Sequence, residues 1–365
     1  MFRRVLTILG LTQIRHTSPV WFDTGDSTVI RVYHDAEREF GVLAPPLALH
    51  ASAPEVLAAV WLMLRETLIV DGVVSRAVKE AVATAVSVGN SCPYCVSVHS
   101  GALDLLLPGR SGSAIAGGDI ARLGEADLRP VAEWARASGD RQVTARPIPV
   151  APAQAPEVIG VAVLLHYLNR MVNVFLRDVP MPPGAPRFVL GTVTRVLATV
   201  MRRAARADRT PGASLDLLPP APLPPEFAWA AGNPAVAEAF ARACAAIDSA
   251  AVRSVPASVR ELLSAELAGW DGRPRGISRS WVDQAVAVLP EADRPAGRLA
   301  LLTAFASYQV DRRLINDFRT KRRGDRRVVE LAAWASLAAA RTIAGWARID
   351  AEQVEAGGLE GPPLR

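Results

Sequence analysis

An all-α fold is predicted by three features of this 365-residue chain. Half of its residues are hydrophobic, with Ala, Val and Leu filling that share; only 6% are aromatic; and no long run alternates apolar with polar residues. With 21% charged residues the composition is globular, and the length is enough for two ordinary domains. Disorder is excluded for most of the chain.

After an irregular lead containing Pro19 and Gly25, helical spacing begins at about 32–40, breaks at Pro45 and Pro46, and resumes at Pro54. Pro54 suits a first helical turn, and Val56, Leu57, Val60, Trp61 and Leu64 follow at three-and-four spacing. Asp71-Gly72 ends that helix. Ser75 is placed to cap the next, 76–88, whose apolar stripe is Val78, Ala81, Val82 and Ala85. Gly89-Asn90 would stop it with left-handed backbone freedom, and Ser91 would cap a third helix from 92 to about 106. Short helices are expected at 114–123 and 126–137, then a proline-rich loop at 138–156 and a long helix at 157–176.

Proline clusters such as Pro182-Pro183 and Pro219-Pro220 flank one basic helix at about 187–206 and mark a boundary. The chain therefore divides into a first helical domain (1–180), a connector (181–225), a second helical domain lacking the C-x-x-C pair (226–350) and a tail (351–365). A faint echo links the halves. Asp71-Gly72 precedes Ser75-Arg76 in the first; Asp271-Gly272 precedes Ser278-Arg279, or Asp293-Arg294 precedes 298–310, in the second. Neither register puts a cysteine opposite Cys92 or Cys95.

The net charge of +5 comes almost entirely from arginine, since Lys79 and Lys321 are the only lysines. Spread over this length it is a weak field, and the densest basic run, 311–327, is interspersed with Asp311, Asp317 and Asp325, so no nucleic-acid partner is expected. The most membrane-like stretch, 158–176, carries His166, Asn169, Arg170 and Asn173, and no membrane partner is expected either. Residues 1–11 lack a signal-peptide cleavage pattern, and three cysteines are too few for a disulfide scaffold. A cytoplasmic protein is the expectation.

Chemistry concentrates between Glu80 and His99. On a helix, Cys92, Cys95 and His99 are three and then four residues apart and share one face. The positive end of that helix favours thiolate, and a thiolate attacks a peroxide oxygen or a disulfide sulfur. His99 can take the thiol proton, and a carboxylate behind it would orient the ring. Glu80 is the candidate, although periodicity puts Glu80, Thr84 and Ser87 opposite the apolar stripe, with Arg76 set for an i,i+4 ion pair, which reads as a solvated face.

The spacing Glu-x11-Cys-x2-Cys-x3-His at Glu80, Cys92, Cys95 and His99 resembles the alkylhydroperoxidase D group of the carboxymuconolactone decarboxylase superfamily. Ser75-Arg76, Cys92-Pro93-Tyr94-Cys95, Phe40-Gly41-Val42 and Pro45-Pro46 share the resemblance, which covers about 32–109 and extends weakly to Tyr167-Leu168-Asn169-Arg170. The resemblance implies an all-helical, oligomeric peroxidase or thiol–disulfide oxidoreductase acting on peroxide or an organic hydroperoxide. In it Cys95 would attack, Cys92 would resolve the product as a disulfide, and His99 with Glu80 would relay the proton. It also implies no metal or organic cofactor, an external thiol or dithiol reductant, and a small homo-oligomer. Tyr94 stands where alkylhydroperoxidase D proteins often have histidine.

Two alternatives belong to other classes: a carboxymuconolactone-type lyase using acid–base residues alone, and a non-catalytic redox sensor. A zinc site from Cys92, Cys95 and His99 lacks a fourth ligand at recognisable spacing, and a thioredoxin fold lacks its strands. His166 reads as a hydrogen-bonded core histidine, His50 as a packing or capping residue, and Cys244 as a buried apolar one.

Overall fold

Caps and prolines punctuate the chain into helices, as composition predicts. The computed structural model describes residues 7–8, 10–22, 24–107, 109–123, 128–178 and 209–349. Among these there is no strand, only an isolated bridge between Pro147 and Arg348. The basic helix expected at 187–206 and the tail lie outside the described residues.

Helix α1, Ser27–Glu39, starts earlier than periodicity suggests because the Asp26 side chain accepts from the Thr28 and Val29 amides. Pro45 and Pro46 open a short helix, α2 (Pro45–Ala48), rather than only breaking one. Helix α3, Pro54–Leu64, is buried from Val56 to Leu64 and continues as a π-helical turn, Arg65–Ile69. That turn buries the Arg65 guanidinium against Glu39 (2.7 Å) and Glu66 (2.5 Å).

Ser75 caps α4, Arg76–Gly89, as expected; α5 is Pro93–Leu106, α6 Ser111–Ala116, α7 Leu128–Ala137 and α8 Arg141–Thr144. Helix α9, Ala155–Phe175, is apolar and long enough to cross a membrane, yet 94% of its most apolar window is buried inside the protein. It is the central helix. The second half holds α10 (Pro234–Ser254), α11 (Ala257–Ala268), α12 (Ser280–Val286), α13 (Arg294–Ala306), α14 (Arg312–Lys321) and α15 (Asp325–Ala344).

Helix α3 packs on α10 and α9 on α15, so the halves meet along two long helix pairs, and their buried apolar residues form one continuous core. Asp271-Gly272 serves this junction: the Arg141 amide donates to the Asp271 carbonyl, and a Cβ on Gly272 would lie 1.6 Å from the Gly139 carbonyl oxygen. Helix α4 is enclosed by α5, α7 and α9. The loop leading into it is fixed by Glu157 of α9, which pairs with buried Lys79 (2.8 Å) and accepts from the Val73 and Val74 amides.

Candidate active site

The C-x-x-C pair occupies the turn between α4 and α5. Gly89 still lies in α4; glycine is needed there because a Cβ would stand 2.3 Å from the Arg136 carbonyl oxygen of α7. The left-handed residue is instead Ser91, at φ 52°. A helix N-cap needs extended backbone, so the cap falls one residue later than expected, on Cys92, whose side chain makes no capping hydrogen bond. Pro93 is the first helical residue, and the Cys92 amide donates to the Ser87 carbonyl at 3.0 Å. Cys92 and Cys95 are both buried and both thiols.

Glu80, Thr84 and Ser87 are not on a solvated face. All three are buried, because α5 and α9 close over the side of α4 that periodicity assigns to water. The Thr84 hydroxyl donates to the Glu80 carbonyl and the Ser87 hydroxyl to the Ala83 carbonyl, so the row satisfies itself within the helix. Glu80 has two partners: Arg76 at 2.7 Å, the expected i,i+4 pair, and His99 Nδ1 at 2.7 Å. Burial alone would raise its pKa, but the Arg76 and His99 charges outweigh this and hold the carboxyl down to about 2. His99 is partly exposed and thus connects the buried carboxylate to the surface.

Cys95 departs from the thiolate expectation. Burial, reinforced by the neighbouring Cys92 thiol, pushes its pKa well above the usual thiol range, and only a hydrogen bond from Asn169 opposes the shift. Burial outweighs the positive end of α5. Tyr94 is buried, and its phenol is pushed upward by the same desolvation, so it stays protonated at neutral pH. Among the described residues no group of three or more His, Cys, Asp or Glu side chains could hold a metal ion.

Asn169, which lies outside the Glu-x11-Cys-x2-Cys-x3-His motif, is buried on α9. Its amide donates to the Ser87 hydroxyl (3.1 Å) and accepts from the Asn90 amide (2.9 Å). His166, a core residue as expected, lies between Asn90 and the Ser138 hydroxyl (2.9 Å). One signal pointed here: His166, Asn169, Arg170 and Asn173 repeat at helical spacing along an otherwise apolar helix. His50 bridges the Leu47 carbonyl and the Tyr167 hydroxyl, and Cys244 is buried in α10. Three of the eight basic side chains in the run at 311–327 sit in ion pairs, Arg319–Asp325, Arg322–Asp293 and Arg326–Glu55.

A separate cavity of about 630 Å³ opens in the second half. It is walled by Trp270, Trp334 and Trp346, with Arg341 held between Glu226 and Asp248. None of the four motif residues lines it.

Residues 54–104, which span α3 to the last turn of α5, match the carboxymuconolactone decarboxylase family. Over 339 residues the chain is 35% identical to a Mycobacterium tuberculosis protein named alkyl hydroperoxide reductase, covering 93% of this chain and 96% of that one. The family match covers the helix pair on which Glu80, Cys92, Cys95 and His99 lie, and the chain belongs to the carboxymuconolactone decarboxylase family as an alkylhydroperoxidase-D-like member.

Proposed function

We propose that the protein reduces organic hydroperoxides by cycling Cys92 and Cys95 between dithiol and disulfide. The Cys95 thiolate attacks a peroxide oxygen: an S–O bond forms, the O–O bond breaks, and the alkoxide leaves as alcohol after taking a proton. Cys92 then attacks the Cys95 sulfenic sulfur, the S–S bond forms, and water leaves. An external thiol or dithiol restores both thiols by exchange. His99, oriented by Glu80, accepts the proton that Cys95 loses and supplies one to the leaving oxygen.

The observation that carries this reading is the Glu80–His99 hydrogen bond of 2.7 Å, buried at its carboxylate end and one helical turn from Cys95. The name of the Mycobacterium tuberculosis relative supports the reaction class. We extend the proposal to a cytoplasmic setting, where thiols stay reduced, and to a small homo-oligomer, supported by Leu105 and Leu106, which are half exposed on α5. Light scattering that returns only monomer would contradict the oligomer.

The test is consumption of cumene hydroperoxide with dithiothreitol as reductant. Cys95→Ser should abolish turnover, and Cys92→Ser pulsed with hydroperoxide in the absence of dithiothreitol should stop after one event with a sulfenic acid that dimedone traps on Cys95. Wild-type protein that consumes no hydroperoxide contradicts the proposal. One observation favours a second reading, a carboxymuconolactone-type lyase: Arg76, Glu80 and His99 form a complete acid–base group, while burial disfavours the Cys95 thiolate. Lyase turnover that survives Cys95→Ser would select it.

A further inference from the structure

The lead into α1 is tied to the ends of two helices. The Arg15 amide donates to the Phe175 carbonyl of α9 (2.8 Å) and the Arg15 guanidinium to the Asn173 carbonyl (2.6 Å), while the Ser18 amide donates to the Asp325 carboxylate of α15 (2.7 Å). Between these anchors His16 is held at φ 71°, a left-handed conformation that costs energy in a residue with a side chain and that clusters at ligand sites. Its carbonyl accepts from Arg319 of α14. Its Nε2 is buried and has no hydrogen-bond partner among the described residues, an exception in a class of atoms that are nearly always paired.

His16 closes a cavity of about 300 Å³ whose other walls are Arg312, Asn316 and Arg319. The last three are four and then three residues apart on α14 and share one face. Among the described residues no carboxylate lines this cavity. The acids beside it are occupied: Asp325 accepts from Arg319 and the Ser18 amide, and Asp311 accepts from the Leu314 amide and pairs with Arg279. Both printed bonds of Arg319 use Nη2, which leaves Nε and Nη1, and Arg312 has no side-chain partner among the described residues. Burial, with the charges of Arg15, Arg312 and Arg319, holds the His16 imidazole down to about 4, so the cavity's positive charge is that of its two guanidinium groups.

We propose that this cavity binds the phosphate group of a small phosphomonoester, with Arg312 and Arg319 pairing its oxygens and Asn316 and His16 donating to them. A phosphate brings nearly two negative charges and three acceptor oxygens, enough for two guanidinium forks, whereas a carboxylate satisfies one. The volume is at the lower end for small-molecule sites and leaves room for a short organic body. None of the four motif residues lines the cavity, and the proposal stands apart from the hydroperoxide chemistry.

Isothermal titration calorimetry of the full chain at low salt tests it, with glycerol 3-phosphate, inorganic phosphate and glycerol as probes. Glycerol 3-phosphate should bind at one site, inorganic phosphate more weakly and glycerol not at all. Arg312→Gln should weaken glycerol 3-phosphate by about tenfold, the lower range for one hydrogen bond to a charged group. Arg313→Gln removes the same charge one residue away, outside the cavity, and should leave binding unchanged. Both arginines are exposed, so neither variant disturbs the core. No binding of glycerol 3-phosphate, equal weakening in the two variants, or tighter binding of inorganic phosphate than of the ester would overturn the proposal.

Discussion

Two helix–turn–helix segments, α4–α5 in the first half and α13–α14 in the second, share a plan and differ in where their polar groups go. Each opens on an arginine, Arg76 or Arg294, and each ends in a short turn before a second helix. In the second segment the cap of α14 is Asp311, whose carboxylate accepts from the Leu314 amide at 3.0 Å and pairs with Arg279. In the first, the cap of α5 is Cys92, which makes no such bond. Counted from the opening arginine, the places of Glu80, Thr84 and Ser87 are taken by Arg298, Leu302 and Phe305. Arg298 pairs with Asp283 in solvent, whereas Glu80 pairs with His99 under cover. The second segment spends its polar groups on capping and solvent-facing pairs, whereas the first encloses them near the thiols.

The comparison breaks first at Glu80. Replacing it with Gln leaves Arg76 and His99 facing a neutral amide, and oxidation of Cys95 by hydroperoxide should slow by about 100-fold, the lower range for a lost acid–base element. Stopped-flow mixing measures it. The same carboxylate has a signature in stability. Its folded pKa, about 2, lies below the ordinary 4.5, so its contribution is present above pH 4.5 and is lost as pH falls towards 2. That difference is worth about 3 kcal/mol. The melting-temperature gap between wild type and Glu80→Gln should therefore be full at pH 7 and nearly closed at pH 2.

Lys79→Met probes burial without touching the thiols. It leaves Glu157 charged and unpaired in the interior and should cost about 3 kcal/mol in urea unfolding. Smaller still is the loss of the cap that distinguishes the second segment. Asp311→Ala should cost about 1 kcal/mol and leave hydroperoxide consumption unchanged. Arg326→Ala, at a half-exposed ion pair, should cost under about 1 kcal/mol, and less in high salt.

Much of the first half is legible in the sequence because its signals are local. Ser75 before an apolar stripe, Pro54 at a first turn, and the C-x-x-C spacing each act within one helical turn. What was not legible depends on distant covering elements. Periodicity sees α4 alone and gives the Glu80 row to water; α5 and α9 bury it. The helix dipole favours a Cys95 thiolate, but burial, which depends on packing and not on the helix alone, reverses the shift. Ser91 does not cap α5, because its backbone is left-handed, a conformation that residue type alone does not reveal.

The central claim is that the enclosed thiols, and not the second half, carry redox chemistry through Cys95. Intact-mass analysis of reduced protein before and after a stoichiometric pulse of cumene hydroperoxide tests it most directly, with Cys95→Ser beside the wild type. A two-proton mass loss is expected in the wild type, mapped to a Cys92–Cys95 disulfide and absent from Cys95→Ser. An unchanged wild-type mass, or the same loss in Cys95→Ser, would contradict it.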